Sequence, residues 1–261
     1  MTWNMGCAFQ GSKYRRAHGE AWNRLEELDP DVAFLQEVSH IPESIDTARV
    51  VSARRNQDGT YQTVVYSRRG SLRRLMPSPV LAPALMGQAV LAEPANSSST
   101  KPIVLASVHT VTGHPQAVME LAFEALPPDV KARFPGDRGS WNAHVILEAV
   151  AQSTSGGRFI VGGDFNLAWR FDETDKSRRY WASDQFRAMR DKGWLRPHLK
   201  FHAGEERTLF RRENEFFQLD HFFVDQDTYD NSTSCDVLHL EDQDRLSDHA
   251  PLMLTVADTP A

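Results

Sequence analysis

Apolar positions along the chain fall into two periods, and the switches between them mark the elements. His18–Asp29 sets Ala21, Trp22, Leu25 and Leu28 at helical spacing and predicts an amphipathic helix. Asp29-Pro30-Asp31 stops it, and Val32–Leu35 is a short buried strand running into Gln36-Glu37. Tyr61–Tyr66, Gly87–Ala92 and Ile103–Val111 predict further strands. Ser140–Gln152 carries Trp141, Val145, Ile146, Ala149 and Val150 on one helical face, and the glycines of Ser153–Gly157 end it. A strand over Arg158–Gly163 and a helix over Arg179–Gly193 follow. Thr208–Phe210, Phe216–Val224, Asp236–Leu240 and Pro251–Val256 read as late strands. Many strands interleaved with few helices predict a layered α/β or α+β sandwich.

The apolar pattern is broken at strand ends, always by acid, amide or imidazole. Trp3-Asn4 closes the first strand and Gln36-Glu37 the second. His109 stands inside an apolar run, and Asp164 and Asn166 close FIVGGDFN. Asp220 and His221 interrupt FFQLDHFFV, and Asp248-His249 precede the final strand. Any one of these has a structural explanation as a turn, a cap or a satisfied core histidine. Their recurrence at strand ends, where ligand sites of layered folds gather, points to one site.

Bulk properties narrow the chemistry. The chain has 261 residues, 41% hydrophobic, enough for a sizeable core in one domain over residues 1–261. Glu93–Pro102 reads as a surface loop rather than a linker. A net charge of −6 excludes a polycation that coats nucleic acid, but not an enzyme with local positive charge. Cys7 and Cys235 form neither a disulfide framework nor a thiolate zinc site. No apolar run is long enough to span a bilayer, and MTWNMGCAFQG lacks the layout of a signal peptide, so a cytoplasmic protein is expected. No Gly-x-Ser-x-Gly elbow and no P-loop occur. Hard oxygen donors around Glu37 suit Mg²⁺ or Mn²⁺ with substrate phosphate oxygens. Zinc hydrolysis would want a His-x-x-x-His pair, which His109 and His114 do not supply.

Taken together, Trp3-Asn4, Leu35-Gln36-Glu37, His109, Gly163-Asp164-Phe165-Asn166, Leu219-Asp220-His221 and Ser247-Asp248-His249 resemble the endonuclease/exonuclease/phosphatase superfamily, the fold of pancreatic deoxyribonuclease. The resemblance runs from residue 3 to about residue 256. It implies a four-layer αββα sandwich of two mixed β-sheets with flanking helices. It further implies that Glu37 is the principal Mg²⁺ ligand, with Asn4 and Asp248 beside it. Asp164 would orient or deprotonate the attacking water, steadied by Asn166. His249 would contact the scissile phosphate with Asp220 orienting it, His109 would be the second active-site histidine, and Asp164 and His249 are joint candidates for the general base. Gly162-Gly163 would leave room for close approach.

The apurinic-site branch carries Asp or Asn where this chain has Gly6, and Tyr where it has His109, so the resemblance points to the histidine-bearing branches. These include nucleases, tyrosyl-DNA phosphodiesterases, sphingomyelinases and inositol-phosphate phosphatases. The expected activity is a Mg²⁺-dependent phosphodiesterase, an endonuclease on DNA first and a phosphatase or phospholipase second, ahead of a tyrosyl-DNA phosphodiesterase-like repair enzyme or a non-catalytic binding module. The paired arginines Arg15-Arg16, Arg54-Arg55, Arg68-Arg69, Arg73-Arg74, Arg178-Arg179 and Arg211-Arg212 would either meet nucleic-acid phosphates or form a solvated surface that balances the acidic residues, and Trp169, Arg170 and Phe171 would either flank the substrate or only pack.

Overall fold

Two mixed sheets stand face to face in a computed structural model, which describes residues 1–7, 13–54, 61–77, 88–96, 102–110, 128, 146, 150–154, 156–174, 182–210, 216–241 and 246–257. The first sheet holds β1 (Thr2–Asn4), β2 (Val32–Val38), β3 (Val50–Arg54), β4 (Gln62–Ser67), β10 (Ser232–Val237) and β11 (Leu252–Val256) in the order β10-β11-β1-β2-β4-β3. The second holds β5 (Leu72–Leu75), β6 (Ala89–Pro94), β7 (Ile103–His109), β8 (Arg158–Asp164) and β9 (Asp220–Val224) in the order β5-β6-β7-β8-β9. β1 and β2 run parallel, as do β7 and β8, and the remaining pairs are antiparallel.

Side-chain alternation turns these strands into layers. Phe34, Val65, Val90, Leu105, Phe222 and Leu252 belong to a core between the sheets. Their chain neighbours Leu35, Val64 and Tyr66 face the other way, onto Ala21, Trp22 and Leu25 of helix His18–Leu28. On the second sheet Leu91, Ala106, Val161 and Phe223 face outward onto Ala182, Phe186 and Met189 of helix Ala182–Asp191. Three cores between four layers make an αββα sandwich.

Some elements differ from the sequence pattern. β3 and β5 are edge strands whose polar residues hide them, and β2 continues through Gln36-Glu37 to Val38. Thr208–Phe210 makes only a bridge, Leu209 to His249, rather than a strand. The loop expected over Glu93–Pro102 starts later, because β6 runs through Pro94. Residues 97–101 of it, His114, most of the helix expected over Ser140–Gln152, and Arg55, Arg178, Arg179, Arg211 and Arg212 lie outside the described residues. No helix among the described residues is long and apolar enough to cross a membrane.

The paired glycines of β8 serve the packing. A Cβ on Gly162 would sit 2.7 Å from Phe222 and 3.0 Å from Phe34, whose rings meet edge to face there at 5.8 Å. A Cβ on Gly163 would sit 1.9 Å from the Val108 carbonyl oxygen on β7. The room expected for a phosphate is taken by two rings and a neighbouring strand. Gly163→Ala is expected to destabilise the fold by more than about 3 kcal/mol in urea melts, because backbone cannot yield as a side chain does. Gly19→Ala, where a Cβ meets nothing within 4 Å on helix His18–Leu28, is expected to stabilise by about 0.5–1 kcal/mol.

Candidate active site

Within each sheet one edge collects the ends of a parallel pair and the start of its antiparallel neighbour. In the first sheet these are the ends of β1 and β2 and the approach to β11, which carry Asn4, Glu37 and Asp248-His249. In the second they are the ends of β7 and β8 and the start of β9, which carry His109, Asp164 and Asp220. Asn4 Nδ2 donates to Asp164 Oδ2 at 2.9 Å, which joins the two edges. Below that bond, Gln36 Nε2 donates to Ser107 Oγ at 3.0 Å, so the sheets are also pinned by a buried amide.

Glu37 reaches the site by a backbone irregularity. Gln36 points inward between the sheets, so regular alternation would send Glu37 to the outer face. Gln36 and Glu37 together oppose the single residue Thr63 between the pairs Leu35–Val64 and Val38–Gln62, a β-bulge. Glu37 adopts a left-handed φ of 53°. The bulge turns its carboxylate back so that Oε1 lies 3.5 Å from His109 Nε2. Neither the bulge nor the turn is marked by a glycine, so the sequence alone gives no sign of it.

Asp164 is buried, with both oxygens engaged. Oδ1 accepts from the Asn166 backbone N at 2.8 Å, and Oδ2 accepts from Asn4. Burial raises its carboxyl to about 7, against the pull of the His249 charge and with a push from Asp220. Asn166 sits at a left-handed φ of 48°, which Asn tolerates better than most residues. Its side chain donates to the Thr110 carbonyl at 2.7 Å, so it ties the end of β7 to the turn after β8.

His249 is fixed from every side. Its Nδ1 donates to Asp220 Oδ2 at 2.8 Å, its backbone N donates to Ser247 Oγ at 3.0 Å, and its carbonyl accepts from Trp3 Nε1 at 2.9 Å. Burial alone would lower its pKa. The carboxylates of Asp220 and Asp164 outweigh that and hold it at about 10, so the ring is an imidazolium at neutral pH. Its Nε2 lies 3.9 Å from Asp164 Oδ2, and His109 Nε2 lies 3.8 Å from the same oxygen. Two imidazole nitrogens and a carboxylate thus face one small space.

Asp248 lies beside Gly6, two residues beyond Asn4. Gly6, at φ 66°, leaves a gap that a Cβ would close, 2.6 Å from the Tyr14 ring and 3.2 Å from Asp248 Oδ1. Asn4 Oδ1 accepts from the Gly6 N at 2.9 Å and keeps a second lone pair. Cys7 is the nearby soft donor, but burial and then the Glu37 charge push its thiol up to about 12 and keep it protonated. The remaining donors here are hard oxygens, a set that fits Mg²⁺ or Mn²⁺.

His221 stands apart from this constellation. It follows Asp220 on β9 but faces outward, where its Nε2 donates to the Leu167 carbonyl at 2.8 Å. Arg196 Nη2 is 3.2 Å from His221 Nδ1, and a guanidinium can only donate, so Nδ1 accepts. Burial, then the Arg196 charge, push the His221 pKa well down, so the ring is neutral. Arg196 also makes a buried 2.8 Å ion pair with Glu205, whose Oε1 accepts from the Trp169 N at 3.0 Å. This support beneath the turn after Asp164 was not foreseen from the sequence. Trp169, partly buried, packs parallel to Phe186 against the outer core of the second sheet.

Among the described residues, four of the paired arginines stand away from these strand ends. Arg68 and Arg69 follow β4 at the opposite edge and pair with Asp29 and Asp31. Arg73 and Arg74 lie in β5, bonded to Glu93 and to the Ser52 carbonyl. Arg15 Nε, near the site, donates to the Cys7 carbonyl at 3.1 Å.

The fold and the polar residues gathered at its strand ends agree with what comparison with known proteins shows. The model of the Endonuclease/Exonuclease/phosphatase family matches residues 1–249, and the chain belongs to that family. It is accordingly a phosphoesterase of the hydrolase class. No curated protein sequence matches the chain above chance. Among solved structures, the endonuclease domain of the telomere-specific retrotransposon TRAS1 is similar at TM-score 0.63 and 17% identity, over 99% of this chain and 98% of that one. The AP endonuclease LMAP of Leishmania major is similar at 0.65 and 15%, over 98% and 87%. The 3'-5' exonuclease NExo of Neisseria meningitidis is similar at 0.64 and 19%, over 98% of each chain. At these identities the three structures establish the fold.

Replacing Asp220 by Asn removes the nearest charge on His249. An NMR titration is expected to show the His249 pKa lowered by about 1–3 units from its value near 10. An unmoved titration would mean that another group holds the proton on the ring.

Proposed function

We propose that the chain is a divalent-metal-dependent phosphodiesterase that cleaves nucleic acid, as an endonuclease on DNA, by in-line attack of water. One observation carries this reading. Asp164 Oδ2 is the shared neighbour of Asn4 at 2.9 Å, His109 at 3.8 Å and His249 at 3.9 Å, with Glu37 behind His109. A base, two imidazoles and a hard-oxygen cation site around one space are what a phosphodiester needs.

Glu37, with Asn4 and Asp248, would hold Mg²⁺, or Mn²⁺ in its place. When bound, such an ion neutralises the phosphodiester and stabilises the charge that grows on its oxygens. The remaining work falls to the chain. Asp164 receives a proton from the attacking water, and a carboxyl near 7 suits that transfer at neutral pH. Its two hydrogen bonds fix the lone pair that faces the water. His249 presents Nε2–H to a phosphate oxygen, with Asp220 holding the ring by Nδ1. His109, between Glu37 and Asp164, supplies the second imidazole contact.

Nucleic acid is favoured over a small phosphoester by the rim. Phe216 is 55% exposed on the segment that leads into Asp220. The Arg207 guanidinium lies 5.3 Å from its ring, and Arg170 Nη1 is 3.5 Å from its carbonyl oxygen. A half-exposed ring with the Arg207 guanidinium over it and Arg170 at its carbonyl suits a base to stack on and phosphates to hold. Cys7 and Cys235 are buried and unpaired, which suits a reducing compartment such as the cytoplasm. The family match across residues 1–249 supports one catalytic domain.

The test is a substrate panel in Mg²⁺, Mn²⁺ and EDTA: supercoiled plasmid, single-stranded DNA, RNA, a 5′-tyrosyl oligonucleotide, sphingomyelin and inositol phosphates. Nicking of plasmid that EDTA abolishes is the expected result. Turnover confined to the lipid or the inositol phosphates would contradict the nucleic-acid reading. Asp164→Asn is expected to lower turnover at least about 10²-fold with an unchanged circular dichroism spectrum. Glu37→Gln is expected to move the Mg²⁺ activation curve to higher concentration, and an unchanged curve would remove Glu37 from the cation site.

A further inference from the structure

A second group of donors stands away from the strand ends. His198, His202 and Glu206 recur every fourth residue along the short helix His198–Phe201 and the turn after it. Their ligand atoms lie within 4.8 Å of one another. This is the His-x-x-x-His spacing that His109 and His114 fail to supply. The group packs on β10, the edge strand of the first sheet, through Cys235 and Asp236.

The hydrogen bonding there does not close. His198 Nδ1 lies 3.0 Å from the Cys235 carbonyl oxygen, and its Nε2 lies 3.2 Å from that of Gly204. His202 Nδ1 is 3.1 Å from Glu206 Oε1, and its Nε2 is 3.0 Å from Asp236 Oδ1 and 3.1 Å from the Cys235 oxygen. All four ring nitrogens face oxygens that can only accept. An uncharged His198 carries one N–H for two carbonyl oxygens, so one of its nitrogen lone pairs is set against an oxygen lone pair. His198 is buried, and its rings stack with those of His202 at 4.4 Å, so solvent does not resolve the conflict at His198. A cation resolves it by taking nitrogen and oxygen lone pairs together.

We infer that His198, His202 and Glu206 form a second metal site, for a borderline divalent cation of the Zn²⁺ class, separate from the strand-end site. Two imidazoles and one carboxylate are a zinc-type donor set, and imidazole is a poor choice for Mg²⁺. Asp236, whose carboxylate already meets His202, is the nearest further oxygen donor. The site's place in the fold gives it a structural purpose. Glu205, next in the chain, anchors Arg196 and the Trp169 N. Thr208 Oγ1 accepts from the backbone N of Leu219 at 2.9 Å and of Asp220 at 3.2 Å. An ion clamping residues 198–206 to β10 would stiffen the segment that sets Asp220 under His249.

The site does not depend on the reaction proposed above, and its test reads binding alone. Metal-free full-length protein is dialysed against Zn²⁺ and its zinc content is measured, for the wild type, Glu37→Gln and a His202→Gln/Glu206→Gln double variant. His202 and Glu206 are partly exposed, and glutamine keeps hydrogen-bonding capacity at both. The expected result is one equivalent of zinc that Glu37→Gln keeps and the double variant loses or binds at least roughly 10-fold more weakly. Equal zinc in the wild type and a folded double variant, or zinc lost only in Glu37→Gln, would overturn the inference. If the double variant does not fold, Co²⁺ added to the wild type and to Glu37→Gln decides. Intense visible bands of a four-coordinate site with nitrogen donors support the site, and the weak bands of hydrated Co²⁺ overturn it.

Discussion

The hydrogen bond from Asn4 to Asp164 is the contact on which the site depends. It runs between β1 and β8, the strands that lie within the two sheets rather than at their edges, and it lies at 2.9 Å with both residues buried. It makes one site out of two half-sites of like design. Each half is a parallel pair with an antiparallel strand beside it: β2, β1 and β11 in one sheet, β7, β8 and β9 in the other. Each pair ends in polar residues, Glu37 and Asn4 against His109 and Asp164. The antiparallel neighbours bring His249 from one sheet and Asp220 from the other, and these meet at 2.8 Å. Two bonds across the sandwich therefore hold its reactive edge together, with the Phe34–Phe222 contact filling the space behind them.

Such an edge has an energetic cost. Asp164, Asp220 and His249 are buried, and a charge moved from water into protein loses several kcal/mol unless it is paired. The arrangement offsets that with an alternation of sign, carboxylate, imidazolium, carboxylate, and with donors on the Asp164 oxygens. The alternation is incomplete, since Asp164 retains a carboxyl near 7. A group kept halfway between its two states is useful for moving a proton and poor for stability. The rest of the molecule makes up the difference with three apolar cores and with strands so close that β8 has no room for a side chain at Gly163.

Much of this was legible in the sequence, and for a physical reason. Polar residues at the tips of apolar strands contradict the burial pattern around them, so Asn4, His109, Asp164, Asp220 and Asp248-His249 stood out without any structure. The helix His18–Leu28 was legible from its apolar stripe. What could not be read depends on pairing between strands. The bulge that aims Glu37 is defined by Thr63 on β4, and nothing within LQEV reports it. Leu72-Arg73-Arg74-Leu75 reads as loop because an edge strand shows its polar residues to solvent. His221 looked like its neighbour Asp220, yet one residue of register sends it to the outer face and a structural task. The spacing of His198, His202 and Glu206 is plain in the chain, but the oxygens of β10 that crowd their rings are not.

In the proposed reaction, water delivered by Asp164 attacks phosphorus directly and opposite the leaving oxygen. The most direct measurement is the stereochemistry of a single turnover, with DNA carrying one chiral phosphorothioate cleaved in ¹⁸O-labelled water. Inversion at phosphorus, with one ¹⁸O in the new phosphate terminus, is the result expected of a single in-line displacement by water. Retention of configuration would mean two displacements through a covalent enzyme intermediate, and it would contradict the roles given to Asp164 and His249.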